Sequence, residues 1–141
     1  MRRLLLVSAL SLLATLAVAQ DRSAAPAGAE VYIISPQNGA TVTGPVTVRF
    51  GLKGMGIAPA GVKFDNTGHH HLLIDTDLSQ VKLDAPLPAT DKILHFGKGQ
   101  TETVVTLAPG KHTLELLFAD YLHVPFDPTL HSKKITITVT K

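Results

Sequence analysis

Apolar and polar positions alternate along several short segments of the chain. In PVTVRFGL, residues 45–52, Val46, Val48, Phe50 and Leu52 point one way and Thr47, Arg49 and Gly51 the other, the period of a half-buried strand. KITITVT, residues 134–140, sets Ile135, Ile137 and Val139 against threonines. HTLELLFA, residues 112–119, sets His112, Leu114, Leu116 and Phe118 against Thr113 and Glu115. VYIIS (31–35), HHHLLIDT (69–76) and TETVVTL (101–107) add runs rich in β-branched and other apolar residues. Turn chemistry separates the runs, with PQNG at 36–39 and APGK at 108–111. A further short strand is expected between Gln80 and Leu94, and no segment carries a helical period. Six or seven short strands punctuated in this way predict an all-β fold. We expect an immunoglobulin-like antiparallel β-sandwich of about seven strands with Greek-key connections, with another Greek-key sandwich as the alternative.

The N-terminal residues do not fit that pattern. Arg2 and Arg3 precede an apolar run from Leu4 to Ala14, and Ala17–Ala19 is a small-residue cleavage signature. Residues 1–19 are therefore expected to be a secretory signal peptide cleaved after Ala19. The apolar run is short for a membrane anchor, and no second such span follows. Residues 20–29, QDRSAAPAGA, are small and polar and are expected to be a flexible leader. One domain then covers residues 30–141. Export places the protein in the periplasm or outside the cell.

Export changes what the charge means. The chain has 13 basic and 11 acidic residues, and loss of Arg2 and Arg3 balances the two. A neutral mature chain gives no reason to expect nucleic acid or anionic lipid as a partner. The chain has no cysteine, which removes disulfides, thiolate ligands and thiol chemistry from consideration.

Histidine is the exception to this plain composition, with seven in 141 residues. His69, His70 and His71 begin the strand at 69–76, His95 lies in ILHFGKGQ, and His123 and His131 lie in DYLHVPFDPTLHS. In an immunoglobulin-like sandwich all six would gather at one end, with His112 at the other. Alternation puts His69 and His71 on one face and turns His70 away. Two imidazoles at i and i+2, joined by ligands from facing loops, suit zinc, copper or nickel. The candidate ligands are His69, His71, His123 and His95. His70 and Asp120 are candidate supporting groups, and His131 and His112 are peripheral. Met55 is the only methionine after Met1, which disfavours a thioether-rich Cu(I) carrier and favours Cu(II) or Zn(II). The competing reading is a structural hydrogen-bond network, with the triplet bonded to Asp65, Asp120 or backbone.

Catalytic signatures are absent from the sequence. Ser35, Ser79 and Ser132 sit in no nucleophile elbow, and GKGQTET is followed by no helix and fits no nucleotide fingerprint. With no Trp and two Tyr, an aromatic platform for sugars is also poorly supported.

NTGHHHLLID, HFGKGQTETVVTLAPGKHTLELLFADYLHVPFDP and SKKITITV together resemble the DUF4399 family, small exported bacterial domains of unknown function. The resemblance covers about residues 46–140. It implies signature positions at His69, His70, His71, Gln100, Thr101, His123 and Pro125, and His112 falls inside a signature block. It also implies a further histidine just after the proline in many members, where this chain has Phe126. Gln100 and Thr101 then become candidate donors to the metal ligands. The resulting expectation is an exported domain that binds Cu(II) or Zn(II), with no sequence support for an enzymatic activity. A protein- or glycan-interaction module, with an unknown periplasmic protein as partner, and a histidine-ligated metalloenzyme are the alternatives.

Overall fold

The computed structural model describes residues 21–141, and the expected signal peptide at 1–19 lies outside the described residues. The fold is all-β. Its strands are β1 (Glu30–Ser35), β2 (Thr41–Thr43), β3 (Val46–Lys53), β4 (Gly56–Ile57), β5 (Thr67–Ile74), β6 (Ile93–His95), β7 (Glu102–Val105), β8 (Gly110–Ala119) and β9 (Ile135–Thr140). Among the described residues one 3₁₀ turn, Leu78–Gln80, interrupts them. Among the described residues no helix is long and apolar enough to cross a membrane.

Two sheets face each other. One has the order β1-β3-β7 and the other β2-β9-β8-β5, with β4 and β6 both lying along the far edge of β5. Between them Val46, Val48 and Phe50 of β3 meet Leu72 and Ile74 of β5, Leu114, Leu116 and Phe118 of β8, and Ile135, Ile137 and Val139 of β9. The alternation in 45–52, 112–119 and 134–140 thus describes the faces turned towards this core.

β5 is different, because it is buried on both faces. It pairs antiparallel with β8, with His69 opposite Ala119, His70 opposite Phe118 and His71 opposite Leu117. The inner face joins the main core. On the outer face Leu73, Leu117 and Ala119 pack with Leu87, Leu78, Val81 and Leu83 from the connection between β5 and β6. That connection is a cover rather than a strand. The short strand expected between Gln80 and Leu94 begins only at Ile93, after a stretch in which Pro86 and Pro88 offer no N–H to a ladder.

The segment 21–29, expected as a flexible leader, lies against the β8–β9 loop. Ala24 bridges Asp127, Ala25 N–H donates to the Asp127 carbonyl (2.8 Å) and Asp127 N–H donates to the Ser23 carbonyl (2.9 Å). A free leader would have no such contacts.

Candidate metal centre

Four histidines meet on the outer face of the β5–β8 pair. Alternation along β5 turns His69 and His71 to this face. β6 pairs with β5 so that His95 stands directly beside His71. His123 arrives from the β8–β9 loop. There the Asp120 carbonyl accepts from His123 N–H (2.9 Å), closing a tight turn. Oδ1 of Asp120 accepts from the N–H groups of Leu122 (2.9 Å) and Val124 (3.0 Å). His123 adopts φ +67°, a left-handed conformation that non-glycine residues visit only when neighbours enforce it. Its carbonyl accepts from Leu87 N–H (2.9 Å), which ties the loop to the outer cover.

The rings face one another closely. Centroid separations are 4.9 Å for His69–His71, 5.0 Å for both His69–His95 and His69–His123, 5.1 Å for His71–His95, and 4.7 Å for His95–His123. His71–His123 is longer, at 6.2 Å. One ring nitrogen from each of His69, His95 and His123 lies within 4.8 Å of the others. His69 and His71 are fully buried, while His95 and His123 are half-buried and form the mouth.

Neither ring nitrogen of His69 or His71, nor Nε2 of His95, has a hydrogen-bond partner among the described residues. Buried polar atoms in proteins are nearly always paired, with protein, ordered water or a ligand. A structural network would need the bonds that are missing here. Asp120 gives its carboxylate to Leu122, Val124 and Ser23 rather than to an imidazole. Burial holds His69 down to about 4, reinforced by His123 and His95 and opposed by Asp120. Burial, then the neighbouring His69, His95 and His123, push His71 to about 2. His95 is also lowered, by burial and by His123. Neutral imidazoles at pH 7 are the ligand form.

The remaining sequence candidates lie elsewhere. His70 faces inward between Phe50 (5.1 Å) and Phe118 (5.0 Å), with both nitrogens unpartnered, and burial holds it at about 4. His131 does not join the cluster: a bridge to Leu117 draws it back along β8, and Nδ1 donates to Glu115 Oε1 (2.8 Å). Four of the six histidines expected together therefore meet. His112 donates through Nδ1 to Asp75 Oδ2 (2.7 Å) and through Nε2 to the Ala108 carbonyl (2.8 Å). The Asp75 bond and then the Ala108 bond raise its pKa. Gln100 is exposed and its Oε1 accepts from Lys98 N–H (2.9 Å), while the exposed Thr101 accepts from Phe50 N–H (2.8 Å) through its carbonyl. Their hydrogen bonds go to backbone and not to a histidine. Pro125 is buried beside His123 and bridges Ala119. Phe126 stacks on Phe118 (5.9 Å) in the main core.

The sequence reading missed the small residues that make room for the rings. Ala58 N–H donates to the Gly68 carbonyl, Ala60 N–H to Gly97 and Gly61 N–H to Tyr121 (2.8, 2.8 and 2.9 Å), so 58–61 runs as a strap between the His95 and His123 loops. A β-carbon on Gly97 would collide with Cε1 and Nε2 of His95. The only signal was the run of small residues in GIAPAG. Gly97→Ala is expected to displace the His95 ring and, if the cluster holds a metal, to weaken its binding by about 10–100-fold, the usual effect of disturbing a ligand's support. A competition titration against a chromophoric chelator measures this, and an unchanged affinity would mean that His95 does not bind where its ring stands.

No curated protein and no solved structure matches the chain. The family model described as "Domain of unknown function (DUF4399)" matches residues 48–140, which include all seven histidines, and the chain belongs to that family.

Proposed function

We propose that the protein is an exported β-sandwich that binds one transition-metal ion, Cu(II) or Zn(II), through His69, His95 and His123, with His71 as the fourth ligand. The observation that carries this reading is the set of four facing imidazoles in which His69, His71 and Nε2 of His95 lack protein partners. Imidazole nitrogens about 2.0–2.1 Å from one ion place four ring centroids roughly 5 Å apart, close to the separations of 4.7–5.1 Å for five of the six pairs. His71 needs the largest ring movement. An all-imidazole set with no thiolate suits borderline metals. The half-exposed His95 and His123 leave an entry path, as a protein that acquires or hands over metal in the periplasm requires.

The signal-peptide pattern supports export. The order β1-β3-β7 against β2-β9-β8-β5 supports the immunoglobulin-like reading. The interaction-module reading has less behind it. Tyr32, Ile34 and Val104 are exposed on the smaller sheet, but the exposed Thr47 and Arg49 of the intervening β3 break up the surface.

The test uses residues 20–141 without a histidine tag. Elemental analysis and calorimetric titration with Cu(II) and Zn(II) at pH 7.5 are expected to give one ion per chain, with a Kd below about 1 μM. His69→Ala and His123→Ala are expected to weaken binding by roughly 100-fold, about 2.7 kcal/mol. Binding no tighter than about 100 μM for both metals would overturn the reading.

A further inference from the structure

We infer that Arg22 and Ser23 are positioning residues for His123, so that the N-terminal arm completes the histidine site from outside the family-matched region. This rests on the metal-binding reading for its consequence, but not for its geometry.

The loop that carries His123 has little regular structure of its own. From Asp120 to Lys134 its β-type pairings are isolated bridges, Ala119 to Pro125, Leu117 to His131 and Ala24 to Asp127. The left-handed φ of His123 depends on the turn closed at Asp120. Oδ1 of Asp120 holds the N–H groups on either side of His123, and Oδ2 accepts from the Ser23 hydroxyl at 2.6 Å. Asp120 is 4 % exposed, so Ser23 satisfies an oxygen that water reaches poorly.

Arg22 secures the far side of the loop. Its guanidinium donates through Nε to the Pro125 carbonyl (3.0 Å), and through Nη2 to the Phe126 carbonyl and to Thr129 Oγ1 (2.6 Å). Nη1 lies 3.5 Å from Asp127 Oδ1. The planar fork of arginine can serve several acceptors at fixed angles, which lysine cannot do. Two adjacent residues of the arm thus hold both flanks of His123, one through Asp120 and one through the carbonyls two and three residues after it.

A positioning role differs from general stabilisation in what it acts through. Removing the Ser23 hydroxyl should loosen the Asp120 turn, let the His123 ring leave the mouth, and leave His69, His71 and His95 in place. Metal affinity should fall only to the extent that His123 contributes to it.

Hydrogen exchange and a double-mutant cycle test this on the chain 20–141. In metal-free protein, Ser23→Ala and Arg22→Ala are expected to speed exchange at the Leu122 and Val124 amides while β5 and β8 amides keep their rates. Zn(II) affinity is expected to fall by about 10–100-fold in each variant. In a His123→Ala background the same changes are expected to cost nothing further, the mark of two groups acting as one. Ser23→Thr, which keeps the hydroxyl, is expected to restore affinity, and Arg22→Lys is not. Unchanged amide exchange at 122 and 124 would overturn the inference whether or not metal binds. So would an undiminished affinity loss in the His123→Ala background, since that would reflect general weakening of the fold. Failure of the unmodified chain to bind metal would overturn the metal-binding reading instead, and exchange would still decide whether the arm fixes the loop.

Discussion

Metal-free protein is expected to unfold on mild acidification, with a midpoint between about pH 4 and 5. In the folded state His69 and His70 take up protons near 4 and His71 near 2, chiefly because burial disfavours the charged ring. In the unfolded chain each returns to about 6.5. A depressed folded pKa means stability that is complete above the unfolded value and is lost as pH falls. Between about pH 6 and 4.5 the unfolded chain therefore holds roughly 2.5 more protons than the native one. Each is worth about 1.4 kcal/mol per pH unit, so stability falls by roughly 3.5 kcal/mol per unit. A domain with a typical 5–15 kcal/mol would exhaust much of that in about two units. His112 does not counter the slope. Its raised pKa gives a contribution already complete below about 6.5, which is lost only as pH rises through the folded value. Thermal melts followed by circular dichroism at pH 7, 6, 5 and 4.5 measure the effect. A melting temperature that is flat across this range would mean that the imidazoles are hydrated or paired.

Metal should act in the opposite direction and on the same rings. A ligand that binds only the native state adds about 4 kcal/mol when its free concentration is a thousand times its Kd. For a domain of this size that raises Tm by roughly 12–20 °C. At the same free metal concentration the increment at pH 7 should fall to about 1.4 kcal/mol, roughly a third, in His69→Ala and His123→Ala. It should persist in His70→Leu, because His70 faces the main core between Phe50 and Phe118. The increment should also shrink between about pH 6 and 5, as protons begin to favour the metal-free unfolded chain. Calorimetric melts with and without Zn(II) test all three points. An equal increment in the His69→Ala protein would place the ion elsewhere.

How much of this was legible in the sequence depended on where water lies. The strands at 45–52 and 134–140 alternate because one face is wet, and their inward residues are those of the core. The strand at 67–74 does not alternate, because the β5–β6 connection covers its second face. The cluster, expected at one end of the sandwich, stands on the outer face of the larger sheet where the start of β5 meets the end of β8. The separation of His70 from His69 and His71 followed from strand period alone. The partnership of His95 with His71 did not, since β6 has three residues, too few to show a pattern. His123 was placed in the right loop, but its left-handed turn depends on the Asp120 carboxylate and cannot be read from spacing. The arm at 22–25 looked like a leader because its composition is small and polar, and its contacts, which reach residues about a hundred positions away, leave no local signature.

The bare ring nitrogens also bear on how such a chain changes over generations. Leucine fits the space of a buried imidazole and brings no polar atom that must be paired. In a lineage with no use for a ligand, substitutions at His69 or His71 would relieve an acid-sensitive weakness, and drift would tend to fix them. A chain in which His69, His71 and Nε2 of His95 stand buried without protein partners carries a standing cost. If the site binds a metal ion as proposed, the free energy of binding to the native chain would offset that cost.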